Sequence, residues 1–292
     1  MGEFEKKYAW LFLVLSAVCW SMAGVFVKST SWNPVSIATA RGTFSFLVFL
    51  IFRMILKPGR IVLTKAKIVG AVCYFLQGIL IVTANKLTTA GNASLLQNTA
   101  PMFLMALNLI FLRQKPSGRD ILTCAVLTTG IALCCLGNAG SGKITGDVIA
   151  VISGIFYAGV FFADTMGGAD AMESLILGNS LYLPLVPFLW TDAAFRHSTG
   201  KDIGSVLAFC LISGTIAWFL FSRGIRHTPS LRASFVTMLE PVLAPVWTLI
   251  FLRERMSPLC IVGFFVVIGT LIVYNFRRIR EVEEPSRQIA QE

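Results

Sequence analysis

Residues 93–113 read ASLLQNTAPMFLMALNLIFLR, and residues 233–253 read ASFVTMLEPVLAPVWTLIFLR. The two stretches lie 140 residues apart and share eight identities in 21 ungapped positions. The identities are Ala93/Ala233, Ser94/Ser234, Pro101/Pro241 and the closing LIFLR of 109–113 and 249–253. Hydrophobicity alone does not align a proline and end both runs on the same basic residue. The same offset places Lys86 on Arg226 and Thr88 on Thr228, and an offset of 135 places AGVF at 23–26 on AGVF at 158–161. The chain therefore reads as two related halves, roughly 1–140 and 141–292.

What the halves are made of follows from composition. The chain has 292 residues, 55% of them hydrophobic and only 14% charged, with a mean hydropathy of +0.75. An ordinary soluble domain is about 25% charged, so a soluble enzyme is excluded. Richness in Phe, Leu, Ile and Val excludes a disordered chain. Ten apolar segments are predicted to be transmembrane helices: 10–28, 34–56, 66–86, 93–112, 119–136, 146–163, 173–190, 203–222, 231–252 and 258–276. Lipid offers the backbone no partner, so each segment must close its own hydrogen bonds. The seventh is the weakest, since it holds Asn179, Pro184 and Pro187.

Five spans per half is an odd number, so the second half enters the membrane from the opposite side. With the N-terminus inside, 17 of the 25 basic residues fall on the cytoplasmic side, 7 fall outside, and Arg41 lies within a span. This bias places both termini in the cytoplasm. The net charge of +10 is then a property of the inner loops, not a footprint for nucleic acid. The expected fold is an all-α membrane protein of ten transmembrane helices, arranged as two inverted five-helix repeats. The first repeat is 1–140, the second 141–276, and 277–292 is a charged cytoplasmic tail. The run after Lys6 and Lys7 is read as a retained first helix, not a cleaved signal peptide, because it continues to Val27 and further spans follow. Inverted repeats are the architecture of many secondary transporters, and a symmetric scaffold that moves nothing is the alternative.

At this point the chain resembles the EamA family of the drug/metabolite transporter superfamily. The residues that carry the resemblance are the five-plus-five spans, a proline in the fourth helix of each half, Arg41, the Glu240-Pro241 pair and the ending PVLAPVWTLIFLRERMS. One departure is visible: an acidic residue follows the helix only in the second half, as Glu254, where the first half has Gln114. The resemblance implies a cavity lined mainly by helices 1, 3, 4, 6, 8 and 9. It also implies export or exchange of small metabolites, amino acids or drug-like solutes.

The residues themselves suggest where a solute binds. Ionisable groups deep in lipid are functional candidates by default, and Arg41 and Glu240 are the two that stand out. Arg41 is a candidate clamp for a solute carboxylate and Glu240 a candidate proton or cation site. Structural roles, including pairing with each other, stand beside these readings. In the fourth segment Ser94, Asn98, Pro101, Met105 and Asn108 share one helical face. Tyr74, Gln77 and Asn85 share a face of the third segment. Trp20, Tyr74, Tyr157 and Trp218 fall at mid-span, where they could form a cage for an organic cation or ring, or simply pack. The expected substrate-binding set is Trp20, Arg41, Tyr74, Gln77, Asn98, Tyr157, Trp218 and Glu240. Pro101, Pro241 and Pro245 are the expected hinges, because each removes a helical hydrogen bond.

Other chemistries have little support. Residues 137–145, GNAGSGKIT, nearly spell a phosphate-binding loop, but Ile144 stands where Ser or Thr is required. The seven cysteines lie in apolar runs without a CxxC, and the two histidines fall in loops on opposite sides. No catalytic grouping, metal site or cofactor is expected. The expected partners are a small-molecule solute, protons as a candidate coupling ion, and the lipid bilayer. The chain is expected to act as a monomer or homodimer in a plasma (inner) membrane.

Overall fold

The computed structural model describes residues 2–56, 60–137, 144–253 and parts of 258–273. Nine long helical stretches follow one another in these residues. The first, α1, runs Gly2–Ser21 and, past Met22, Ala23–Ser29; α2 is Pro34–Leu56 and α3 Lys65–Leu87. Next, α4 is Ala90–Gln97 followed by Ala100–Leu112, α5 is Gly118–Gly137 and α6 is Ile144–Ala163. The α7 stretch is Ala171–Ser180, continued as a 3₁₀ helix over Leu183–Thr191. In α8, Gly200–Ala208 passes through a π-helical Phe209–Ile216 into Ala217–Ile225. Finally, α9 is Ser230–Thr237 followed by Leu239–Leu252. Eight of them, α1–α4 and α6–α9, are long and apolar enough to cross a membrane, and no strand occurs among the described residues. The protein is thus an integral, multi-pass membrane protein. The predicted tenth span, 258–276, falls only partly within the described residues. Glu254, the 138–143 loop and the 277–292 tail lie outside them.

Proline chemistry explains where α4, α7 and α9 are interrupted. A proline has no N–H for the carbonyl four residues back, and its ring crowds that carbonyl. Pro101 follows the break at Asn98-Thr99 in α4, and Pro241 follows the break at Met238 in α9. The breaks are related by the same 140-residue offset as the sequences. So are the ends of these helices, where Arg113 (φ 54°) and Arg253 (φ 55°) both turn left-handed. Their N–H groups donate to the carbonyls of Asn108 and Thr248, again 140 apart. In α7, Pro184 and Pro187 convert the second half to the tighter 3₁₀ form.

Side chains that cannot hydrogen-bond to lipid bond across helices instead. Ser213 of α8 donates to the carbonyl of Cys19 in α1 at 2.7 Å, and Trp247 Nε1 of α9 donates to Ser21 Oγ at 2.8 Å. Ser45 of α2 and Thr215 of α8 share a hydroxyl bond at 3.1 Å, and Gln97 of α4 donates to Ser153 of α6 at 3.0 Å. The 23 residues of α2 span about 35 Å, so its two termini mark opposite ends of the bundle. At its start the Asn33 N–H donates to Asp192 at 2.9 Å; near its finish Arg53 reaches Glu173 at 2.9 Å. We refer to these as the Asp192 end and the Glu173 end.

Candidate functional site

Six of the eight expected binding residues line a single cavity: Trp20, Arg41, Gln77, Tyr157, Trp218 and Glu240. Its walls come from α1, α2, α3, α4, α6, α8 and α9. It lies toward the Asp192 end, because it takes the later residues of α1 and α3 and the earlier ones of α8, such as Val27, Asn85 and Phe209.

A second cavity lies toward the Glu173 end. Its walls include Gly70 and Tyr74 of α3, Val160 and Ala163 of α6, and Phe221 and Ile225 of α8. Along each of these helices the lining passes from one cavity to the other within about one turn: Tyr74 to Gln77, Tyr157 to Val160, and Trp218 to Phe221.

Between the cavities the aromatic side chains close ranks. Trp218 stands edge-on to Tyr74, with centroids 4.6 Å apart, and to Trp20 at 4.7 Å. Tyr157 meets Phe161 at 5.0 Å, and Phe161 meets Phe221 at 5.2 Å. Trp218 closes the circuit to Phe221 at 5.3 Å. Edge-to-face pairs at these separations are favourable beyond their burial. The expected cage residues therefore form a packed layer. Tyr74 belongs to the far side of that layer and lines the second cavity.

Arg41 and Glu240 are not paired with each other among the described residues; each has its own surroundings. The Arg41 guanidinium donates to the Tyr182 hydroxyl at 3.0 Å, and that hydroxyl donates onward to the carbonyl of Phe75 at 3.0 Å. It also lies 5.3 Å from the Tyr74 ring centre and 5.6 Å from that of Tyr182. Gly78 makes this slot possible: a Cβ there would collide with Arg41 Nη2 and the Tyr182 hydroxyl. Glu240 Oε1 accepts a bond from Ser94 Oγ at 3.2 Å, joining α9 to α4. Asn98 lines neither cavity. Its amide donates to the Ser94 carbonyl at 2.9 Å, at the end of the first piece of α4, and Asn98 is also a side-chain hydrogen-bond partner of the Glu240 carboxylate. Pro101 and Pro241 are buried near the starts of the second pieces of α4 and α9, and Pro245 is buried within the latter.

The first cavity also concentrates polar atoms that the protein leaves unbonded. Trp20 Nε1, Arg41 Nε, Gln77 Oε1 and Asn85 Oδ1 are buried and make no hydrogen bond among the described residues. Burying such groups without partners is unfavourable by about 1–3 kcal/mol each, so four at one cavity make it the candidate site. The set holds both donors and acceptors. The second cavity is different: its lining is mostly apolar, with Asp164 its one charged side chain. Burial raises Asp164 to about 6; nearby Arg226 opposes the shift and Asp170 adds to it.

Sequence reasoning missed Tyr182, which orients Arg41, and the charged groups that bind the helix ends. At the Glu173 end, the Glu173 carboxylate bridges Arg53 at 2.9 Å and Lys67 at 2.6 Å, all three buried. At the other end Asp202 accepts bonds from the Ser31 N–H at 2.6 Å and the Thr30 hydroxyl at 3.2 Å. The only legible signal was a charged residue at a helix terminus, and such residues are usually solvated.

Comparison with known proteins agrees with this architecture. A transporter of Archaeoglobus fulgidus, named only as uncharacterized, is 23% identical over 279 residues, covering 92% of this chain and 97% of its own. The UDP-N-acetylglucosamine transporter yea4 of Schizosaccharomyces pombe is 26% identical, covering 63% of this chain and 66% of its own. A protein of Streptantibioticus cattleyicolor named "Probable terminal-alkyne amino-acid exporter" is 25% identical, covering 68% and 69%. A solved crystal structure superimposes with a TM-score of 0.73 at 15% identity, over 91% of this chain and 97% of that one, which speaks to fold alone. The EamA-like transporter family matches twice, at residues 7–136 and at residues 144–276. With most of its length accounted for by those two matches, the chain belongs to the EamA-like transporter family.

Proposed function

We propose that this protein is a secondary transporter that moves a small organic solute across its membrane by alternating access. The reading includes ten spans in two inverted five-helix repeats. It puts both termini and the Glu173 end in the cytoplasm of a plasma (inner) membrane. The observation that carries it is the pair of cavities, one toward each end, divided by a single aromatic layer. A solute held beside Trp20, Tyr157 and Trp218 needs only that layer to shift in order to change sides. The interrupted helices α4 and α9 supply movable backbone, and Pro101, Pro241 and Pro245 are the hinges.

The solute is one with both hydrogen-bond donors and acceptors and an apolar or aromatic body. Unbonded donors on Trp20 and Arg41, unbonded acceptors on Gln77 and Asn85, and the carboxylate of Glu240 support that choice. Trp20, Arg41, Gln77, Tyr157, Trp218 and Glu240 contact it directly. Tyr74 acts through Trp218, and Asn98 acts through Glu240, whose carboxylate it bonds. Glu240 is the group that couples movement to protons. Relatives named for a nucleotide sugar and for an amino acid fit a family that carries such polar organic molecules.

The test is counterflow in proteoliposomes. Amino acids, organic amines and nucleotide sugars are screened by thermal shift, since a ligand of the folded state raises its melting temperature. Those that stabilise are then assayed as labelled solutes against an unlabelled internal pool. Uptake of at least one, abolished by Arg41→Gln, is expected. A stabilising ligand that is never carried would overturn transport in favour of a binding or scaffold role.

A further inference from the structure

The second cavity has no use unless something opens it, and the structure contains a seam that holds it shut. The seam runs along the first turns of α3 and α7. Lys67 Nζ meets Glu173 Oε2 at 2.6 Å, and Arg53 at the end of α2 meets Glu173 Oε1 at 2.9 Å. One turn further into α3, Gly70 lies so close to Ser174 that a Cβ would come within 3.0 Å of its hydroxyl oxygen. Gly70 and Ser174 are themselves walls of the second cavity. The three charged side chains are thus the outermost layer of the wall, and separating α7 from α3 would open the cavity to the Glu173 end.

One carboxylate serves both cations, and relative exposures of 7%, 9% and 5% bury all three. Buried ion groups stabilise only while complete; removing one partner leaves an uncompensated charge. Removing the Glu173 carboxylate takes away the group that Arg53 and Lys67 share, so the ties among α2, α3 and α7 at this end are lost together. An arrangement that holds three helices through one shared group is suited to two discrete positions.

The opposite end is tied differently. There the α7–α8 connection holds the α1–α2 connection through Asp202 to the Ser31 N–H and Thr30 hydroxyl, and through Asp192 to the Asn33 N–H. These carboxylates bond backbone and hydroxyl groups directly, with Lys86 and Lys28 nearby, and none of the described bonds there is a buried ion pair across helices. We propose that the buried triad Arg53–Glu173–Lys67 is the gate of the second cavity, and that breaking it biases the protein toward the state open at the Glu173 end.

This rests on the alternating-access reading, but its test needs no solute. In a full-length chain with its native cysteines replaced, single cysteines are placed in the second cavity (Ala163→Cys) or the first (Ala244→Cys). Labelling by a membrane-impermeant thiol reagent is then timed. Glu173→Gln is expected to speed labelling at position 163 by on the order of tenfold, and to slow it at position 244. Lys67→Gln leaves the Arg53–Glu173 pair and is expected to shift both rates in the same directions by roughly threefold. It also serves as the readout should Glu173→Gln fail to fold. Glu173→Asp is expected to restore the original rates. Unchanged rates, or a rise at both positions together, would overturn the gate, since the first denies any bias and the second means general loosening. Counterflow lost with these labelling shifts intact would instead count against transport alone.

Discussion

The two cavities share three helices, α3, α6 and α8, and differ in what those helices and their other walls present. The cavity toward the Asp192 end gathers a cation, a carboxylate and four polar atoms unbonded among the described residues. The one toward the Glu173 end gathers small and apolar side chains around Asp164. On the transport reading proposed above, recognition and passage would be separated along a single axis, with polar groups in one chamber and few in the other. The aromatic layer is the boundary that makes the separation possible, and most ways to break the comparison begin there.

Trp218→Ala has the largest expected effect. It removes the ring that touches Trp20, Tyr74, Tyr157 and Phe221. A buried Trp-to-Ala change costs about 3–5 kcal/mol, to be read from denaturation of the purified protein in micelles. If the layer is the boundary, the same variant also loses the difference in thiol accessibility between the cavities. Gly78→Val comes next. Its side chain would displace Arg41 from Tyr182, an overpacking worth about 1–3 kcal/mol. Solute-induced thermal stabilisation is expected to disappear, and its persistence would remove Arg41 from the site.

Asp164 tests the second cavity by pH. Its folded value of about 6 lies above the ordinary 3.8, so the folded state holds the proton more tightly than the unfolded one. The ionised form therefore lowers stability: nothing is lost below the ordinary value, the loss grows as pH rises between the two values, and it is complete above the folded one. Asp164→Asn is expected to raise stability at about pH 8 by on the order of 1 kcal/mol, discounted for partial exposure, and to change nothing at about pH 4. Equal effects at both pH values would mean that the carboxylate is not desolvated. The smallest effect belongs to Arg226→Gln. Its bond to Asp170 at 3.1 Å is 40% exposed on the arginine side. Such pairs contribute about 0–1 kcal/mol, so this variant calibrates the buried triad by contrast.

Most of the fold was legible because apolar length and proline position are local properties. The interruptions of α4 and α9 follow from Pro101 and Pro241, and the 140-residue offset in sequence reappears as matched breaks and matched left-handed arginines. The site was legible where depth in the membrane exposed a residue type, as for Arg41, Glu240 and the mid-span aromatics. It was not legible where a break changed the geometry. The stripe from Ser94 to Asn108 assumes one continuous helix, but the first piece of α4 ends at Gln97, so Asn98 bonds the Ser94 carbonyl and the Glu240 carboxylate instead of lining the cavity. Nor could spacing find Tyr182, in a segment that prolines turn to 3₁₀ form. Lys67 and Glu173 each sit in a helix's first turns and look interfacial until the fold brings them together with Arg53.

The left-handed arginines have a practical corollary for handling the molecule. At Arg113 and Arg253 the backbone takes a shape that an L-residue adopts at an energetic cost and glycine adopts freely. Both positions cap helices, and neither lines a cavity. Glycine at either one relieves local strain of up to about 1 kcal/mol, partly offset by the looser unfolded chain. A pair of solvent-side replacements could thus lengthen the protein's working life in detergent without touching either cavity.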